Sequence, residues 1–187
     1  NVVNIFFTGG NSAKKLYENI ADNSKKINIK SKVRIFQTDE RIFEKRKNTN
    51  SENIKINFFK NCNKKKIFFF PMKIKNNKFL NKSTYYNCYH NHEIDLIILT
   101  LGDDGHIASL SSADRNIYSN KKICYTRYSS KIKNRVTIGP EYINKAKRIY
   151  VISNGKKKLE MFKILNNKNS YYKRVNKILS KAYFFFD

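Results

Sequence analysis

The stretch Asp95-Leu-Ile-Ile-Leu-Thr-Leu-Gly-Asp-Asp-Gly-His-Ile-Ala-Ser-Leu110 says more about this chain than any other. Leu96 to Leu101 is a nearly continuous apolar run, the pattern of a parallel strand buried on both faces. The run breaks at Gly102-Asp103-Asp104-Gly105-His106. Open parallel sheets take their ligands at the carboxyl ends of the strands, so chemistry is expected at this loop. His106 stands there with two carboxylates beside it and glycines that let backbone approach closely, which suits proton transfer on a small substrate. Ser109 and the small residues around it are expected to open a helix running back over the sheet. Read locally, Asp103-Asp104-Gly105 also fits an ordinary turn, and the rest of the chain has to choose.

Working outward, further strands are expected at Val2–Phe7, Val33–Gln37, Ile67–Phe70, Ile123–Thr126, Arg135–Ile138, Ile149–Ser153 and Tyr183–Phe186. Helical spacing of apolar residues predicts helices over Ala13–Asp22, Lys156–Leu165 and Lys173–Lys181. Strands alternating with helices imply βαβ units, hence an α/β, Rossmann-like fold with a mostly parallel sheet flanked by helices. Phe68-Phe69-Phe70 and Phe184-Phe185-Phe186 read as core strands. Asn76 to Asn91 is polar and basic and reads as a solvated connection. At 187 residues one domain, 1–187, is the natural count.

Three other strand ends carry chemistry-bearing residues. Thr8-Gly9-Gly10-Asn11-Ser12 follows the first strand: two glycines and a hydroxyl at a helix start can cradle an anion, and can equally be a tight turn. Thr38-Asp39-Glu40-Arg41 follows the second. Arg41 can offer a fork to a phosphate with Asp39 or Glu40 orienting it, or the group can be a surface ion pair. Lys158 follows Asn154-Gly155, and Arg135 starts the strand Arg135–Ile138. The glycines match neither a P-loop nor the dinucleotide fingerprint.

The formal charge of +25 raises nucleic acid as a partner. Against it, Lys, Asn, Ile, Phe and Tyr are inflated together, as AT-rich codon bias would produce. The basic residues are scattered over the chain without a recognition motif, so no specific nucleic acid is expected. No apolar run is long enough for a membrane span. Asn1 to Phe7 is too short and uncharged for a signal peptide and reads as a strand entered abruptly. Cys62, Cys88 and Cys124 are odd in number and unpaired in spacing, which predicts reduced thiols in a cytoplasmic protein. Cys88, His90 and His92 would share one face if they lay on a strand, a possible zinc set, but they lie in the polar connection and no metal is assigned.

Taken together, these residues resemble the 6-phosphogluconolactonase family, sister to the glucosamine-6-phosphate deaminases. Thr8-Gly9-Gly10-Asn11-Ser12-Ala13 stands where the family has Ser-Gly-Gly-Ser-Thr-Pro, and Asp39-Glu40-Arg41 matches its Asp-Glu-Arg. Gly102 to Leu110 matches Gly-x-Asp-Gly-His-Thr-Ala-Ser-Leu, Arg135-Val136-Thr137 matches Arg-Ile-Thr, and Gly155 with Lys158 matches Gly-x-x-Lys. Phe185-Phe186-Asp187 resembles the family's terminal aromatic-x-Asp. Ala108-Ser109-Leu110 favours the lactonases, since the deaminases usually carry Ala-Phe-Asn-Glu there and Asp-Glu-Tyr for Asp-Glu-Arg. Ala13 and Ser111-Ser112 depart from the family pattern, and the family's helix before the first strand is missing.

The resemblance implies hydrolysis of 6-phospho-D-glucono-1,5-lactone in the oxidative pentose phosphate pathway, with no cofactor and no metal. It implies His106 as proton-transfer residue and Asp104 as its partner. Thr8, Gly9, Gly10, Asn11, Ser12, Asp39, Arg41, Gly105, Arg135 and Lys158 would bind substrate and its phosphate. Some lineages fuse this enzyme to glucose-6-phosphate dehydrogenase, so fusion to or association with that dehydrogenase is a further expectation. The rival readings are a sugar-phosphate deaminase-isomerase, a basic nucleic-acid-binding protein and a non-catalytic homologue.

Overall fold

The apolar run of the signature stretch lies in the middle of a sheet. The computed structural model describes residues 1–42, 49–126, 134–166 and 170–186. The elements in the first half are β1 (Val2–Phe7), α1 (Lys14–Lys26), β2 (Lys32–Gln37), β3 (Asp39–Arg41), α2 (Asn50–Ile54), β4 (Ile67–Phe70), β5 (Ile74–Lys75), β6 (Lys78–Phe79) and α3 (Lys82–Asn91). Then follow β7 (Leu96–Thr100), β8 (Ile123–Thr126), β9 (Arg135–Ile138), α4 (Pro140–Lys145), β10 (Arg148–Ser153), α5 (Lys156–Asn166), α6 (Lys173–Ile178) and β11 (Ala182–Phe186). Six strands form one sheet in the order β11-β10-β7-β1-β2-β4. Every pair in it is parallel.

Both faces of that sheet are covered, as the unbroken apolar runs require. Alternation along β7 sends Ile97 and Leu99 into one core and Ile98 into the other. On the first face Phe6, Phe36 and Phe70 stack across β1, β2 and β4 with centroids 5.0 and 5.1 Å apart. Tyr85 of α3 meets Phe36 edge-on at 5.3 Å. On the second face α1 docks through Tyr17, whose ring stacks on Phe7 at 4.3 Å and whose hydroxyl donates to the Thr8 carbonyl at 2.9 Å. Each such buried ring contributes roughly 3–5 kcal/mol by the cost of truncating it to alanine.

A second sheet, β3-β9-β8, is antiparallel and stands at the carboxyl edge of the first. Thr38 joins the two. Its N–H donates to the Phe7 carbonyl at 3.0 Å, and its own carbonyl accepts from Ile138 N–H at 2.7 Å. The expected strands Ile123–Thr126 and Arg135–Ile138 are therefore present, but outside the parallel sheet.

Four further expectations need correcting. Asn76 to Asn91 is no loose connection: it holds one strand of a hairpin and then α3, whose Tyr85 and Cys88 lie at helical spacing in the core. Nor do Cys88, His90 and His92 share one face: on α3 the exposed His90 turns away from Cys88, and His92 is the extended residue beyond the helix end. Cys88 is buried, while His90 stacks with Tyr86 at 6.4 Å. Burial pushes the Cys88 thiol up to about 11. The phenylalanine triplets are only partly core, for both lie on the outer strands β4 and β11, where Phe68, Phe185 and Phe186 are exposed. Finally, no helix starts at Ser109. Leu101 bridges Ile107 and Ile107 bridges Leu110, so the segment folds into a tight, buried loop instead. Among the described residues no helix is long and apolar enough to cross a membrane.

Candidate active site

Gly102 continues from the carboxyl end of β7, and His106 folds back over it. A Cβ on Gly102 would fall 2.1 Å from His106 Nδ1, so the imidazole rests directly against the Gly102 backbone. Gly102 N–H donates to the His106 carbonyl at 2.9 Å, and Gly105 N–H to the Gly102 carbonyl at 3.0 Å. Gly105 has a φ of +82°, the left-handed region where glycine alone is unstrained. Its α-carbon face is covered by the Tyr172 ring, 2.7 Å from where a Cβ would lie, and by Met161 of α5.

His106 Nδ1 lies 2.6 Å from Asp104 Oδ1, which also accepts from the His106 N–H at 3.3 Å. An ionised carboxylate only accepts, so Nδ1 carries the proton and proton transfer falls to Nε2. Both side chains reach solvent, His106 at 29% and Asp104 at 56% exposure, so a small molecule can approach them.

The Thr8–Ser12 turn lies at the end of β1, the neighbour of β7. Gly9 is squeezed against α2, where a Cβ would fall 2.1 Å from Asn50 Cβ. Its carbonyl accepts from Asn53 Nδ2 at 3.0 Å. A Cβ on Gly10 would lie 3.1 Å from Thr100 Oγ1, which sets this turn beside the end of β7. Lys158 Nζ donates to Ser12 Oγ at 2.6 Å, so Lys158 and the turn are brought together across 146 residues. Asn11 is exposed, whereas Thr8 is buried beneath the turn. The first turn of α5 holds Lys156, Lys157 and Lys158 and no acid. Cations at a helix N-terminus oppose its dipole, and an anion at that end would relieve the conflict.

Strand alternation and register place Asp39, Arg41, Arg135 and Thr137 on one face of the small sheet, since Asp39 pairs with Thr137 and Arg41 with Arg135. Two arginines directly across from each other repel unless an anion sits between or beside them. Asp39 supplies part of that charge, its Oδ2 lying 3.3 Å from Arg135 Nη1. Asp39 is also 3% exposed and accepts from Ser109 Oγ at 2.7 Å and Thr38 Oγ1 at 3.1 Å. Glu40 has a different task from orienting Arg41. Its carboxylate accepts the backbone N–H groups of Arg41, Asn50 and Ser51 and thereby ties β3 to the start of α2. Neither acid belongs to a surface ion pair.

The structure thus gathers three groups at one edge of the large sheet: His106 with Asp104, the Thr8–Ser12 turn with Lys158, and the Asp39–Arg41–Arg135 face. Asn50 and Asn53 of α2 bind the second and third of these together through the Gly9 and Asp39 carbonyls. Sequence reasoning missed Tyr172 and Thr100, which no local pattern marks, and took Ser109 as part of a motif and as the start of a helix. Asp187 lies outside the described residues. A cleft of about 570 Å³ is lined by Arg41, Glu52, Lys55 and the β5–β6 hairpin but not by His106. A molecule held against His106 would not fill it.

Solved structures share this architecture. A 6-phosphogluconolactonase from Shewanella baltica OS155 superposes with a TM-score of 0.82 at 16% identity, over 98% of this chain and 83% of that one. One from Plasmodium vivax gives 0.77 at 20% identity, over 99% and 77%. A monomeric glucosamine-6-phosphate deaminase gives 0.78 at 15% identity, over 100% and 86%. Two reaction classes therefore use one fold, and likeness at this identity establishes the fold alone. No individually curated protein matches by sequence. Residues 1–176, however, match the model of the glucosamine-6-phosphate isomerases/6-phosphogluconolactonase, a span that takes in every group gathered at the sheet edge. The chain belongs to the glucosamine-6-phosphate isomerase/6-phosphogluconolactonase family.

Proposed function

We propose that this chain is a 6-phosphogluconolactonase, hydrolysing 6-phospho-D-glucono-1,5-lactone to 6-phospho-D-gluconate in a reducing, cytoplasmic compartment. The observation that carries the reading is His106 held by Asp104 through Nδ1 at the carboxyl end of β7. A proton acceptor fixed in one tautomer and open to solvent suits the activation of water.

In the mechanism we infer, His106 Nε2 takes a proton from water as its oxygen attacks the lactone carbonyl. The carbonyl oxygen becomes an oxyanion, which backbone N–H groups near Gly9-Gly10 are suited to receive, since the Gly105 N–H is taken by the Gly102 carbonyl. On collapse the C–O bond of the ring breaks and His106 returns its proton to the leaving ring oxygen. The product is an open-chain acid. Arg41, Arg135 and Lys158 hold the phosphate, with Thr8 to Ser12 as the cradle. No step calls for a metal or a redox cofactor.

The decisive test is a coupled assay of phosphogluconate formed from freshly prepared lactone, corrected for spontaneous hydrolysis. Rates no higher than the uncatalysed background would sink the proposal. Neutralising Arg41, Arg135 or Lys158 singly should weaken 6-phosphogluconate binding, with a smaller effect on hydrolysis of the unphosphorylated lactone. Calorimetric titration of the three variants checks this, and wild-type affinity in all three would place the phosphate elsewhere.

The charge of +25 is assigned to composition and not to a nucleic-acid footprint. Labelled oligonucleotides should bind without sequence preference, and weakly once about 0.15 M salt cuts the screening length to about 8 Å. Sub-micromolar, sequence-discriminating binding at that salt would revive the nucleic-acid reading.

A further inference from the structure

The loop bearing His106 is fastened to two sheets. At one end it continues β7 through Leu101 and Gly102. At the other, fully buried Ser109 donates its hydroxyl to Asp39 Oδ2 at 2.7 Å and its N–H to Thr137 Oγ1 at 3.3 Å. That same Asp39 oxygen receives Arg135 Nη1 at 3.3 Å, and Arg135 stands across from Arg41 in the strand register. One carboxylate oxygen is thus shared between a hydroxyl on the histidine loop and a guanidinium on the two-arginine face. Between His106 and Ser109 lie only Ile107, fully buried and bridged to both Leu101 and Leu110, and Ala108, held at a φ of +51°. So short and tightly packed a connection has little slack to absorb a displacement of Ser109 before it reaches His106.

We propose that Ser109 is a positioning residue that couples anion binding on the Arg41–Arg135 face to the alignment of His106. The proposal rests on the reading of that face as the phosphate site. Arg135 has a fixed set of donors, and a phosphate arriving there competes with Asp39 for them. As Arg135 turns toward the phosphate, Asp39 Oδ2 gives up part of its cationic partner and its bond to the Ser109 hydroxyl strengthens. That draws the loop onto the small sheet and fixes His106 over Gly102. The substrate's phosphate then does more than anchor the sugar: it sets the base.

The test separates phosphate from lactone. Inorganic phosphate added in trans should raise hydrolysis of unphosphorylated glucono-1,5-lactone severalfold in the wild-type protein. It should also move the His106 Cε1–H resonance in an NMR titration. Ser109→Ala should abolish both responses while calorimetry still finds phosphate bound within about threefold of wild type. Ser109→Thr, which keeps the hydroxyl, should restore them. With the phosphorylated lactone, Ser109→Ala should lower kcat more than it raises KM. If Ser109→Ala does not fold, Asp39→Asn cuts the same link and should likewise uncouple the His106 shift from phosphate.

A His106 resonance that follows phosphate equally in Ser109→Ala, or in no variant including wild type, would overturn the coupling. The two readings fail separately. A protein that hydrolyses no lactone yet shows the Ser109-dependent shift loses the lactonase assignment and keeps the coupling. A lactone hydrolase whose shift ignores Ser109 does the reverse.

Discussion

Lactone hydrolysis is expected to fall about 10²–10⁴-fold when His106 becomes alanine, the usual worth of a positioned proton-transfer group. The fold should survive. His106 is 29% exposed, and its ring rests on the Gly102 backbone beside the Asp104 carboxylate. Circular dichroism and the urea midpoint should therefore stay near wild type while the rate corrected for spontaneous hydrolysis collapses. Asp104→Asn should cost less, because Nε2 survives and only its tautomer and orientation are loosened. Wild-type turnover in a well-folded His106→Ala protein would remove the histidine from the mechanism.

Gly102→Ala should be nearly as damaging to the rate, by a different route. The added methyl would fall 2.1 Å from Nδ1 and 2.2 Å from Cε1 of His106, inside any tolerable contact, so the ring has to swing off its seat. Gly102 does not have a positive φ, so its backbone accepts alanine and the nearest clash is with the imidazole. Stability should fall less than the rate, because the backbone at Gly102 can carry a side chain and the cost is that of the displaced ring. Gly105→Ala makes the contrast. It combines a φ of +82° with a clash 2.7 Å from Tyr172, and should lose stability and rate together. Thermal melts beside kinetics distinguish the two. A fully active Gly102→Ala protein would show that the working His106 rotamer is not the one resting on Gly102.

The large sheet was legible because its strands are rich in apolar residues, and β7 shows why: Ile97, Ile98 and Leu99 are each wanted by a core on one side or the other. The small sheet was not legible as a sheet. β3 is three charged residues long, and nothing in Asp39-Glu40-Arg41 says buried strand. What buries it is satisfaction from far away, Ser109 and Arg135 for Asp39 and the start of α2 for Glu40. α3 was hidden for a related reason. Its apolar side is little more than Tyr85 and Cys88, and the remaining positions of Lys82–Asn91 are polar or ambivalent. Ser109 misled in the opposite direction. Small residues after a glycine turn suggest a helix start, but the bridges from Ile107 to Leu101 and Leu110 close the segment on itself first. The grouping of the motif residues at one sheet edge was legible. Tyr172 was not, because its contact with Gly105 spans two elements that share no pattern.

The outer strand of the large sheet has a colloidal consequence. Among the described residues β11 pairs only with β10, which leaves one row of its peptide groups at the sheet edge, beside the exposed rings of Tyr183, Phe185 and Phe186. Such an edge is adhesive toward a second copy of itself. A net charge of +25 supplies the opposing force, because two molecules that approach edge to edge must first bring their positive fields together. That barrier thins as salt shortens the screening length from about 30 Å at 0.01 M to about 8 Å at 0.15 M. The protein is thereby kept dispersed by its own field. Added electrolyte moves it toward self-association, opposite to the salting-in of a weakly charged protein, and polyanions that neutralise the lysines act in the same direction.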